Sequence, residues 1–211
     1  DDLRIDWGWF YLSAQGGKAG IGTGRQLRQA FLDGSGFSLT QGDDNEGRMA
    51  IVQPLEAGRE GHMLIGYDDI YSIQYFGQNL RPYWNRGGDK TIFDMFAAAE
   101  NDYRSLMKRC AEFDRNLMAE AEKAGGRKYA ELCALAYRQS IHAHKLVQAP
   151  DGYLMWLSKE NNSNGSIGTV DVTYPSIPIF LRYNPEFTEY LLNHIYHYSE
   201  SGRWTKPFPA H

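Results

Sequence analysis

Glu160 and Asp171 are the two carboxylates of a polar stretch, "SKENNSNGSIGTVDVTYPSIPIF", that covers residues 158–180 between segments of helical pattern. Hydrolysis of an amide or glycosidic bond can be run by one carboxyl that protonates the leaving group and another that takes a proton from water. The stretch supplies such a pair, with Glu160 as the leading acid and Asp171 as its partner. A partly apolar cleft would give Glu160 the raised pKa an acid needs. Around the pair, Lys159 would balance charge and Asn162 would hydrogen-bond a ligand. Trp156 and Tyr174, with Tyr153 nearby, would offer aromatic faces to a sugar or another small polar molecule. A plain connector is the competing reading, because Asx side chains commonly satisfy their own loop.

Other local patterns imitate chemistry and are set aside on physical grounds. Counted from Glu160, the residues Glu160, Asn162, Asn164, Gly165, Ser166 and Asp171 fall at positions 1, 3, 5, 6, 7 and 12 of a calcium loop. Two carboxylates flanking two asparagines hold a divalent ion weakly, and the exit "VTYPSIP" is broken by proline where an EF-hand needs a long helix. "GIGTGRQLRQAFL", residues 20–32, looks like a phosphate-cradling glycine loop but lacks the full fingerprint and a following βαβ unit. Ser105 and Lys108 have the spacing of serine acyl-transferases, yet they lie mid-helix without companion motifs. His142 and His144 stand two apart on an expected helix and so point away from each other, unlike i, i+4 metal ligands. The acidic run "QGDDNEGR", residues 41–48, reads as a solvated turn. Neither a metal nor a cofactor is expected.

The elements that must position these groups follow from texture. The chain has 211 residues, 42% hydrophobic and 14% aromatic, which is enough apolar surface for a sizeable core. Its net charge of −4 is spread with both signs interspersed, so neither nucleic acid nor an anionic membrane is an expected partner. Residues 1–89 are β-rich: "IDWGWFYLSA", "MAIVQPLE", "HMLIGYDD" and "YSIQYFG" alternate with the period of strands. Within them "RQLRQAFLDG" has helical spacing and ends on Gly34, although an extended form is an open alternative. Residues 90–211 read as helical hairpins, with the break near Gly87-Gly88. One long helix is expected over 93–124, after the capping Thr91, and a second over 127–147, reversing at Gly125-Gly126. A short helix started by Pro175 and another from Pro185 to Gly202 complete the set. In the expected hairpin Cys110 lies beside Ile141, which leaves Cys133 roughly 12 Å away at about 1.5 Å per residue, too far to bridge. Both cysteines are therefore expected to be reduced and largely buried.

Four blocks, "YDDIYSIQYFGQNLRPYWNR", "CAEFDRNLMAEAEKAGGRKYAELCALAYRQSIHAHKLV", "SKENNSNGSIGTVDVTYPSIPIFLRYNP" and "GRWTKPFPAH", occur in this order and resemble the central region of the glutaminase A family of fungi and bacteria. The resemblance covers most of the chain. It implies a secreted or periplasmic protein longer than this chain, with an amino-terminal β-sandwich and a carboxy-terminal (α/α)6 toroid of the six-hairpin glycosidase type. On that footing the chain would hold the end of the sandwich followed by αα-hairpins forming part of the toroid. The family's helices continue after an "AHDLG"-like motif, whereas this chain stops at Ala210-His211, so an acid just past His211 would be missing. The implied reaction is hydrolysis of L-glutamine to L-glutamate and ammonia, with a small molecule as the only expected partner. A carbohydrate-active protein is the first alternative, since the toroid belongs mainly to sugar-active enzymes. A non-catalytic ligand-binding or scaffolding module is the second.

Overall fold

The computed structural model describes residues 8–37, 47–58, 60–159 and 165–210. Short strands with one helix among them come first, a helical region that includes a strand hairpin follows, and the chain divides into two compact units. One comprises residues 8–68 with 92–98, the other 69–91 with 99–211.

In the first unit, β1 (Trp9–Ser13) and β2 (Lys18–Gly22) precede α1 (Gly24–Asp33), β3 (Arg48–Val52) and β4 (Leu64–Asp68). β1 pairs antiparallel with β4, from Trp9 opposite Asp68 to Ser13 opposite Leu64. β2 pairs antiparallel with β3, from Lys18 opposite Val52 to Gly22 opposite Arg48. The glycine-rich 20–32 stretch thus ends a strand and opens a helix, but its sheet is antiparallel and builds no dinucleotide fold. A reciprocal cap decides the helix over the extended alternative. Thr23 Oγ1 accepts from Gln26 N, Gln26 Oε1 accepts from Thr23 N at 2.9 Å, and Gly34 closes the last turn in the left-handed region. Gly66 in β4 admits Phe96, whose ring tip would stand 2.8 Å from any Cβ there, and Tyr11 meets the same ring edge-on.

The second unit opens with a hairpin of β5 (Ile73–Tyr75) and β6 (Gln78–Leu80). A single helical turn over Tyr83–Asn85 follows, and Asn85 grips the backbone of Lys90 with both ends of its amide, at 2.8 and 3.0 Å. This clamp leads into α2 (Ile92–Gly125), whose 34 residues extend about 51 Å at 1.5 Å per residue. Gly126, at φ 81°, turns the chain into α3 (Arg127–His142). Phe113, Tyr137 and Tyr183 form an aromatic triad, with centroids 4.9 to 5.4 Å apart, that joins α2 and α3 to a later helix.

Two expectations need correction in this unit. The second helix stops at His142 instead of reaching 147, and the chain continues as β7 (His144–Gln148) and β8 (Leu154–Ser158), paired antiparallel from His144 opposite Ser158 to Gln148 opposite Leu154. Short apolar runs on either side of the Pro150-Asp151-Gly152 turn gain more from pairing than from one extra helical turn. His142 and His144 therefore belong to different elements. The helix expected at Pro175 begins earlier, as α4 (Val170–Tyr183) behind Thr169, and carries Pro175 and Pro178 inside it. α5 (Pro185–Glu200) runs as expected, with Pro185 in its first turn.

The β7–β8 hairpin is the middle layer of the core. Strand alternation sends Val147, Met155 and Leu157 to the β5–β6 side, where they meet Ile73 and Leu80. It sends Leu146 and Trp156 to the other face, against Phe180 of α4 and Leu191 of α5. Burial differs from expectation at the cysteines. Both are free, but Cys110 is exposed and Cys133 half-buried, because the outer turns of α2 around residues 104–112 have no covering layer among the described residues. No helix among them is long and apolar enough to cross a membrane.

Candidate functional site

The polar stretch opens where β8 ends and closes on itself at its base. Lys159 forms a bridge with Ile167, Gly168 N donates to Ser158 O at 2.7 Å, and Lys159 N donates to Ala143 O at 2.7 Å. Gly168 has φ 66°, and its carbonyl accepts from His194 Nε2 of α5 at 2.8 Å. A Cβ at Gly168 would collide with that imidazole, so glycine is required twice over. Inside the base, Ser158 Oγ and Thr173 Oγ1 face each other at 3.5 Å, both buried.

The expected site residues part company here. Glu160 and Asn162 lie outside the described residues, as does Asn164 of the calcium-type positions. The element before the loop is a strand, so the helix–loop–helix of an EF-hand is not formed. Asp171 lies exposed in the first turn of α4, where a negative charge complements the helix dipole. Tyr174 is 75% exposed on the same helix. Trp156, expected as a ligand wall, is a core residue: it is 8% exposed, stacked on His144 at 5.1 Å and packed against Phe180 and Phe187.

Lys159 is the most strongly perturbed cation of this region. It is 6% exposed and its Nζ donates to Ser72 O at 3.3 Å. Burial, reinforced by the neighbouring positive charge of Lys145, brings its pKa down to about 8, against the opposing pull of Asp69. Asp69 is itself 3% exposed and ion-paired to Lys145 at 3.1 Å. Between Asp69 and Ser72 the backbone folds into a three-residue turn closed by Tyr71 N on Asp69 O, with Ile70 at φ 57°. A β-branched residue there is strained by about 1–3 kcal/mol, and such strain persists only where surrounding contacts fix it. Ser72 Oγ is buried without a hydrogen-bond partner.

Asp69, Ser72 and Lys145 escaped the sequence reading. "YDDIYS" reads as the end of a strand, and nothing local says that it reaches Lys145 and Lys159. The available signal was a lysine closing the apolar run "LMWLS", since a lysine on a buried strand needs partners. His144 and His194 complete the polar interior. Each gives one ring nitrogen to a backbone carbonyl, of Ser140 and Gly168 respectively, and keeps the other nitrogen buried without a partner. Burial pushes both below the ordinary histidine range, so both are neutral acceptors on that side. Among the described residues no group of three or more His, Cys, Asp or Glu is placed to hold a metal ion. The arrangement supplies a buried amine near its own neutralisation point, an acid–lysine pair that sets its field, and a loop base pinned at Ser158, Lys159 and Gly168.

Comparison with known proteins places this architecture. Residues 126–211 match the Glutaminase A six helical-hairpin domain, and residues 1–120 match a domain of unknown function, DUF5127. The chain belongs to the glutaminase A family. It is 31% identical to Glutaminase A of Aspergillus oryzae over 156 residues, 70% of this chain and 22% of that protein. It is 26% identical to the Probable glutaminase of Arthroderma benhamiae over 233 residues, 99% of this chain and 27% of that protein. The chain thus spans about a quarter of the length of these curated relatives. No solved structure matches it.

Proposed function

We propose that the protein is a secreted or periplasmic hydrolase that converts L-glutamine to L-glutamate and ammonia. The match of residues 126–211 to the Glutaminase A six helical-hairpin domain carries this reading. In it, the strands before α2 are the end of a β-sandwich, and α2 to α5 are the first hairpins of an (α/α)6 toroid whose mouth receives the 158–175 segment. Asp171 takes a proton from water as the water oxygen bonds to the side-chain carboxamide carbon. Glu160 gives a proton to the nitrogen as the C–N bond breaks, and ammonia leaves. Lys159 balances the negative charge, while Asn162 and Tyr174 contact the substrate. The pinned loop base supports the assignment, since positioned acid–base groups need a rigid frame.

The test is ammonia release from L-glutamine by the full-length protein, run beside a panel of aryl glycosides. Glutamine turnover is expected, falling about 10²-fold or more in Glu160→Gln and in Asp171→Asn. Release from glycosides alone overturns the substrate, and full turnover in both folded variants overturns the residue assignment.

A further inference from the structure

The β7–β8 hairpin ends in a second polar concavity, at its turn. Tyr153 and Lys159 stand at opposite ends of β8, about 20 Å apart at 3.3 Å per residue. The hollow has a volume of about 260 Å³ and is lined by Tyr75, Phe76, Asp151, Tyr153, His197 and Arg203, among others. We propose that it binds a free α-amino acid through its ammonium and carboxylate.

The charges make the case. Asp151 and Arg203 do not pair with each other, and neither has an ion-pair partner among the described residues, yet both act on the hydroxyl of Tyr75 from opposite directions of charge. Asp151 acts on the Tyr153 hydroxyl as well. An acid and a guanidinium that line one hollow without neutralising each other fit a zwitterion, which satisfies both. A monocarboxylate leaves Asp151 unanswered, an amine leaves Arg203 unanswered, and a neutral sugar answers neither charge.

The remaining groups suit the same ligand. Tyr75 and Tyr153 share a hydrogen bond of 2.7 Å. Two phenols have two hydroxyl protons, so the pair keeps one donor and several lone pairs to offer. Arg203 lies with its guanidinium carbon 3.9 Å from the centre of the Phe76 ring. Held over that ring, the guanidinium keeps N–H donors to offer a carboxylate at two points. His197 closes the wall, 5.3 to 5.8 Å from the rings of Tyr153, Phe76 and Tyr75.

The backbone is strained to hold this wall. Phe76 and Gly77, at φ 47° and 82°, form the two-residue turn of the β5–β6 hairpin, where both positions need the left-handed region. Asparagine or aspartate adopts the first position with less strain, and a bulky aromatic there is a backbone outlier. The strain keeps an aromatic platform under Arg203 and beside His197.

The inference does not rest on glutamine hydrolysis, and its probe is L-alanine, which has no side-chain amide. Titration of the full chain, followed by the ¹⁵N amide shifts of Gly77 and Gly152, is expected to saturate. Propionate and ethylamine, each lacking one charge, should bind about tenfold more weakly or worse. Arg203→Gln and Asp151→Asn should each weaken L-alanine binding to the same degree. Both side chains are exposed, so the rest of the spectrum reports an intact fold. Tyr153→Phe should weaken binding while keeping the ring contacts. No saturable shift, equal binding of propionate and L-alanine, shifts produced by D-glucose, or wild-type binding in both charge variants would each overturn the proposal.

Discussion

The Lys145 ammonium lies 3.1 Å from Asp69 Oδ2, and this contact ties β7 to the strained turn at Ile70. Removing one partner of a buried pair leaves the other uncompensated. Lys145 retains partial exposure, so Asp69→Asn is expected to destabilise the fold by about 2 kcal/mol, below the roughly 3–5 kcal/mol of a fully buried pair. Chemical denaturation measures it. An unchanged midpoint would show that the pair contributes nothing.

Lys159 gives a pH dependence of definite sign. Its pKa is about 8 in the fold against 10.5 in the unfolded chain, so between those values the unfolded state holds more protons. Stability therefore rises with pH across the window from about 8 to 10.5. In Lys159→Met the rise should shrink, and urea midpoints of the two proteins at about pH 8 and 10 will reveal it. Parallel slopes would mean that Lys159 is solvated.

His144 and His194 act in the other direction of pH. Both are depressed in the fold from 6.5, so the unfolded chain takes up protons first as pH falls. Their contribution is fully present above about pH 6.5 and is lost on acidification. Replacing His194 by glutamine keeps a donor for Gly168 O without titrating, so the thermal midpoint should fall less steeply between about pH 7 and 5. A slope equal to wild type would remove His194 from the account.

Gly168→Ala combines a positive φ with a collision at His194. A loss of about 2 kcal/mol or more is expected from strain and the displaced imidazole together. Equilibrium unfolding provides the number, and a neutral outcome would mean that the loop base is malleable.

Cys110 should react with a thiol reagent in the native protein, and half-buried Cys133 more slowly. Equal protection of both until denaturation would indicate that further structure covers α2.

Where local chemistry set the element, the sequence was legible. Period-two alternation located β1, β3, β4 and β5, and Pro185 with Gly202 bracketed α5, whereas helical spacing left α1 open to an extended form until the Thr23–Gln26 cap decided it. Illegibility had three sources. "HKLVQ" and "LMWLS" are apolar runs whose period suits helix and strand alike, so partner availability decided them. The Asp69–Lys145–Lys159 cluster joins segments far apart in the chain, and a pairing of that kind has no local signature. Pro175 misled for a third reason: a proline is common at a helix start, but α4 begins five residues earlier and runs through both Pro175 and Pro178.

The closed base beneath the 158–168 segment has a bearing on how such a protein diversifies. With Lys159 and Ile167 bridged and Gly168 N bonded to Ser158 O, β8 and α4 are held by bonds made below the segment they flank. Each doubling of a loop's length adds only about 0.6 kcal/mol of closure entropy. Residues between the two anchors can therefore be lengthened, shortened or exchanged with little disturbance to the scaffold. The stretch can therefore be varied, by natural drift or by grafting, while the frame beneath is inherited intact.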